Sequence, residues 1–159
     1  CSIASYFCKG TNEKRPVVAK AVYKNGDVRE FKAAANRYED YFGADSKAYV
    51  LADSGSASAS ECLIGCMKDY GATDYENICI SYRAGVAKTF GKGIMQTTRS
   101  RYPWTSEAIK LTTAKICWPL SGNCIHGRGI TTEDGTKSVS ENYAGDEEIL
   151  SALSAFGII

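Results

Sequence analysis

Seven cysteines, Cys1, Cys8, Cys62, Cys66, Cys79, Cys117 and Cys124, constrain this 159-residue chain more than any other feature. At about 4% of the residues they exceed what a reducing cytosol favours and match secreted proteins, in which covalent cross-links rigidify the body. The chain starts at Cys1 and not at Met, so it reads as a mature or trimmed form, and the expected location is secreted and extracellular. Zinc is the competing use of cysteine. Cys62 and Cys66 have the spacing of half a site, but Cys117 and Cys124 are too far apart for the other half and His126 is the sole imidazole. Disulfides are therefore expected, with no metal and no cofactor. An odd count leaves one thiol over and the pairing open. Cys62 and Cys66 share a helix face and point at a neighbour, not at each other. Cys117 and Cys124 flank the turn-rich loop Trp118-Pro119-Leu120-Ser121-Gly122-Asn123, which a local bridge can close. Cys1 and Cys8 either pair locally or tie the amino terminus down, and one of them supplies the spare thiol.

A chain of this length buries about 70% of the surface its unfolded form exposes. Aromatic residues at 11%, with 19 basic and 18 acidic side chains, exclude a disordered polyelectrolyte. No apolar run reaches the ~18 residues of a membrane span.

Local patterns give the elements. Val-rich Pro16 to Tyr23, then Lys24-Asn25-Gly26-Asp27, then Val28 to Lys32 predict a hairpin with a type I′ turn at Asn-Gly. Ala34, Tyr38, Tyr41 and Phe42 predict a helix over 33–42, stopped by Gly43. Lys47 to Ala52 reads as a short strand. Asp53 to Ser60 reads as a flexible connection whose last serine caps a helix from Glu61 to Tyr70, which Gly71 ends. Glu76 to Tyr82 alternates like a strand with one buried side, Ile78, Ile80 and Tyr82 opposite Cys79. Ile94 to Thr98 follows as a strand; in 106–118 Ile109, Thr113 and Ile116 have helical spacing while the Thr and Ile content favours a strand, the reading adopted; Asp134-Gly135 signals a second hairpin. Asp146 caps a helix over 147–156 with Ile149, Leu150, Leu153 and Phe156 turned to the core. The class is α+β: a mainly antiparallel sheet or partly closed β-barrel with about three short helices, disulfide-stapled. Residues 1–159 form one compact domain, with a subdivision into 1–60 and a β-rich 61–159 left open.

Chemistry is sparse. His126, in a glycine-bounded loop beside Cys124, makes a thiolate–imidazole pair with Asp134 or Glu133 as its orienter only if a free cysteine lies near it. Glu107, after the aromatics Tyr102 and Trp104, is the carboxylate best placed for acid chemistry. No phosphate loop, nucleophile elbow or dinucleotide fingerprint is recognised. Between Arg83 and Lys115 seven basic residues face one acid, Glu107, whereas Glu133 to Glu148 is acidic. The first segment can meet an anionic membrane surface, or the two can face each other. With pI near 7.7, no specific nucleic acid is expected. Arg99, Arg101, Tyr102, Trp104, Trp118, His126 and Arg128 are the candidate binding residues, because Trp, Tyr and Arg dominate binding energy.

In size, cysteine content and short strands, with no Asn-x-Ser/Thr sequon, the chain resembles the small secreted cysteine-rich effectors and toxins of filamentous fungi. It is most similar in kind to the two-part effectors of wilt fungi and the β-barrel necrosis toxins. That resemblance implies a monomeric, non-enzymatic virulence protein whose exposed loops bind a host protein or receptor, or a membrane component. The alternative is a secreted hydrolase using His126 with a carboxylate or a free thiol.

Overall fold

The computed structural model describes residues 2–8, 14–35, 45–100, 107–140 and 146–158. Strands β1 (Val17–Tyr23) and β2 (Val28–Lys32) form the expected hairpin. Its turn is not type I′: Gly26 alone takes a positive φ, 90°, and Asn25 does not. Tyr23 and Asp27 close a three-residue loop, and the Asn25 side-chain oxygen accepts the Asp27 N–H at 3.2 Å. This is the bulged alternative open to the same sequence signal.

Two more strands, β5 (Ile94–Ser100) and β6 (Ala108–Cys117), complete an antiparallel sheet in the order β2-β1-β6-β5, with Ala21 opposite Ile116 and Met95 opposite Ala114. The β-branched content of 108–117 wins over its helical spacing because β1 and β5 supply ladder partners on both sides.

A second sheet departs from expectation. Strands β3 (Val50–Asp53), β4 (Ile78–Tyr82) and β7 (Lys137–Ser140) run parallel in the order β3-β4-β7. Ile78, Cys79 and Ile80 are all buried, so β4 is covered on both faces instead of one, as a central parallel strand is. Asp134-Gly135 makes no hairpin. It ends a short 3-10 turn, Thr132–Asp134, with Gly135 in the left-handed region, and the chain then enters β7 alongside β4.

Helix α1 (Ala59–Asp69) serves both sheets. Ile64 joins Ile78, Ile80, Trp118, Ile125 and Ile130 in one core, and Cys66 joins Ala4, Val18 and Ala33 in another. The Tyr70 hydroxyl donates to Val17 O at 2.9 Å and ties the end of α1 to β1. Gly65 is small for a packing reason: an added Cβ would overlap the Trp118 indole.

The structure corrects two further expectations. Helix α2 (Glu147–Ala155) forms where predicted, but Ile149, Leu150 and Phe156 are exposed, and no residue of the helix is buried. Its fixed points are a Tyr49–Ser151 hydroxyl pair at 2.8 Å and an edge contact of Phe156 on Tyr49. The expected helix over 33–42 lies mostly outside the described residues, and 33–35 are irregular.

Nor is there a disulfide staple among the described residues: Cys8, Cys62, Cys66, Cys79, Cys117 and Cys124 are free thiols, and Cys1 lies outside them. Cys8 and Cys66 meet as a hydrogen-bonded thiol pair, Sγ to Sγ 3.2 Å, beyond the ~2.05 Å of a covalent bond. Close aliphatic packing supplies the cohesion that cross-links were expected to provide. Burial pushes the Cys62 thiol up to about 11.

Ile80→Ala should cost about 2–5 kcal/mol in urea unfolding, whereas Ile149→Ala should cost less than about 1 kcal/mol. Equal losses would mean that α2 packs as the pattern first suggested. Alkylation at pH 8, followed by mass spectrometry, should modify exposed Cys124 at least about tenfold faster than Cys62, because little Cys62 thiolate exists below its raised pKa.

Candidate active site

The turn into α1 carries the most unusual backbone in the molecule. Ser58 has φ 56° and ψ −105°, and among the described residues it is the only non-glycine with a positive φ. An L-residue pays for this conformation, and such strain persists only where the surroundings impose it.

The imposing group is Glu61, one turn into the helix and fully buried. Its Oε2 accepts the Ser58 N–H and the Lys92 N–H, each at 2.9 Å. Its Oε1 accepts the Gly91 N–H at 2.7 Å and the Thr89 hydroxyl at 2.6 Å. All four neighbours donate, so a carboxylate, which only accepts, satisfies every one of them. Stripping such an ion of water costs several kcal/mol, and these charge-assisted bonds offset that cost. One side chain thus fixes the backbone of Ser58 and the backbone of Lys92 together.

The segment around Lys92 is also clamped from its other side. Phe90 N–H donates to Ser56 O at 3.0 Å, Thr89 N–H to Ile130 O at 2.9 Å and Gly127 N–H to Gly91 O at 2.8 Å. The Thr89 hydroxyl oxygen also accepts the Ile130 N–H at 2.8 Å. The glycines flanking Lys92 follow from this crowding. A Cβ on Gly91, which has φ +84°, would lie 2.8 Å from Gly129 N, and one on Gly93 would lie 2.9 Å from His126 N.

Ser58 and Lys92, both half-buried, line one cavity of about 610 Å³ between α1 and the antiparallel sheet. Most of its wall is apolar, with Val18, Phe31, Leu63, Met95 and Ile116 among the lining residues. A hydroxyl and an amine sharing a partly dehydrated cavity are the components of nucleophilic catalysis, one to attack and one to take the proton. The described residues contain no cluster of His, Cys, Asp or Glu able to hold a metal ion.

Of the candidate binding residues singled out from sequence, only Trp118 lines this cavity among the described residues. Arg101, Tyr102 and Trp104 lie outside the described residues, and Arg99 is exposed on β5 opposite Ile109. Trp118 is 3% exposed and belongs to the core. His126 is exposed, and neither proposed orienter reaches it. Asp134 accepts from the Arg128 guanidinium at 2.7 Å, which holds that guanidinium above its usual range, and from Thr131 N–H at 2.9 Å. Glu107 is exposed at the entrance to β6. Ser58, Glu61 and Lys92 escaped attention as chemistry because they looked like a flexible linker, a helix start and a glycine-broken coil. One signal was available: Ser58-Ala59-Ser60-Glu61 fits the Ser-x-x-Glu pattern of a helix start, which places the cap at Ser58, not Ser60.

Comparisons with known proteins place the chain in a family. The model of "Peptidase family S41" matches residues 3–134. A "Probable CtpA-like serine protease" of Staphylococcus epidermidis is 39% identical over 109 residues, 67% of this chain and 19% of that protein. One from Staphylococcus saprophyticus is 40% identical over 89 residues, 56% of this chain and 16% of that protein. Among solved structures, a photosystem II D1 C-terminal processing protease superposes with a TM-score of 0.61 at 22% identity, covering 95% of this chain and 33% of that one, which speaks for the fold. The chain thus spans about a fifth of the length of the curated relatives it matches. These matches overturn the likeness to fungal effectors and toxins, and with it the expectation of a non-enzymatic, disulfide-bonded virulence protein. The hydrolase alternative stands closer to the findings, although not with His126 as its centre. From residues 3 to 134, a span that holds the whole antiparallel sheet, α1, Ser58 and Lys92, the chain belongs to peptidase family S41.

Proposed function

We propose that this segment carries the catalytic centre of a serine peptidase, with Ser58 as nucleophile and Lys92 as the base. The observation that carries the reading is the Glu61 carboxylate, which binds the backbone of both residues at one point beside a shared cavity. The matched relatives are named as serine proteases, and the family is one of peptidases, which supports the same reaction class.

The Ser58 hydroxyl attacks the carbonyl carbon of a peptide bond while the Lys92 amine takes its proton. The resulting oxyanion is stabilised by the Ala59 N–H, the first of α1, where helix N–H groups have no intrahelical acceptor and the macrodipole is positive. The tetrahedral adduct collapses as Lys92 returns the proton to the departing amine. Water, deprotonated by the same amine, then cleaves the acyl–Ser58 ester. Lysine in place of histidine is a known variant of the serine nucleophile arrangement. Glu61 touches no substrate in this scheme; it is a positioning residue.

Ser58→Ala and Lys92→Ala should each lower kcat/KM for peptide hydrolysis by at least about a thousandfold, while His126→Ala should leave it within about twofold. Full activity in Ser58→Ala, or loss of activity in His126→Ala, would overturn the assignment. Glu61→Gln turns an amide donor toward other donors. It should therefore cost about 3 kcal/mol or more in chemical denaturation, against almost nothing for exposed Glu76→Gln.

A further inference from the structure

The cavity is much larger than the chemistry of Ser58 requires. At about 610 Å³ it has room for roughly twenty waters at ~30 Å³ each, whereas a methyl side chain would leave it mostly unfilled. The space comes from small residues on the wall: Ala4, Ala19 and Gly93 line it where longer side chains would close it. Its polar content is low, and water held against Val18, Phe31 and Met95 gains few hydrogen bonds. Trp118 also lines it and adds apolar ring surface to the wall.

We propose that this cavity is the specificity pocket of the peptidase and that it selects a large apolar side chain, of phenylalanine or leucine size, on the residue whose carbonyl Ser58 attacks. The inference rests on the Ser58–Lys92 reading for its position beside the nucleophile and on the volume and lining of the cavity for its preference. A bulky apolar group displaces the poorly bonded water and gains contact with the wall, whereas alanine does neither. Cys62 stands on α1 and lines this cavity, so enlarging it takes up space in the pocket.

The test is a binding measurement that needs no turnover. Peptides identical except for a carboxyl-terminal Phe, Leu or Ala represent the acyl-side product, and calorimetry measures their affinity for the full chain carrying Ser58→Ala. The Phe and Leu peptides should bind at least about tenfold more tightly than the Ala peptide. Adding Cys62→Phe should reduce that advantage to less than about threefold while leaving the Ala peptide unchanged. Cys62→Leu provides a milder version, and if neither variant folds, the ranking of the three peptides on the Ser58→Ala protein decides alone. Equal affinities, a preference for Ala, no binding of any peptide at millimolar concentration, or an advantage that survives Cys62→Phe in a folded protein would overturn the proposal. Failure of the nucleophile assignment shows separately, as hydrolysis that persists in Ser58→Ala.

Discussion

A buried carboxylate with four donors around it organises this molecule. Glu61 has no access to water, and its two oxygens answer to Ser58, Thr89, Gly91 and Lys92, residues that come from two different parts of the chain. An unpaired ion in that position would destabilise the fold by several kcal/mol, so the carboxylate and its donors must form together. The positive φ of Ser58 is tolerated because its N–H is held by the same group. Strain at one residue is thereby supported by a network reaching into the segment that carries its chemical partner.

That network needs backbones to approach closely, and glycine makes the approach available. Thr89, Gly91 and Gly93 lie directly against the 125–131 loop, with contacts that leave no room for a β-carbon on either glycine. The same principle places Trp118 against Gly65 on α1. Helix α1 is consequently the shared wall of both cores and of the cavity. Free thiols sit in this packing as small apolar groups; the Cys8–Cys66 pair contributes a contact, not a covalent tie.

Legibility in the sequence varied with the range of the forces involved. The Asn25-Gly26 hairpin, the strands at 94–100 and 108–117, and the stop at Gly71 were readable because torsional preference and side-chain alternation act over a few residues. The turn type was not, since Gly26 can serve either a two-residue or a three-residue loop. Helix α2 shows the opposite failure: its apolar stripe is real, but Ile149, Leu150 and Phe156 find no core to enter among the described residues. For β4 the alternation suggested one wet face, and only the addition of β3 and β7 as parallel neighbours covered both. The cysteine count misled most, because the number of thiols carries no information on whether their sulfurs are bonded.

By itself the sequence determined the local elements, the balance of charge and the α+β class, all of which follow from interactions between near neighbours and from bulk composition. The active site was decided by tertiary structure alone. A serine in a Ser/Ala stretch and a lysine between glycines have no shared local pattern, and they acquire a joint chemistry only when packing brings both backbones within 3 Å of one carboxylate. Hydrogen bonds act at contact distance, so residues remote along the chain become partners only after the fold has closed the gap between them.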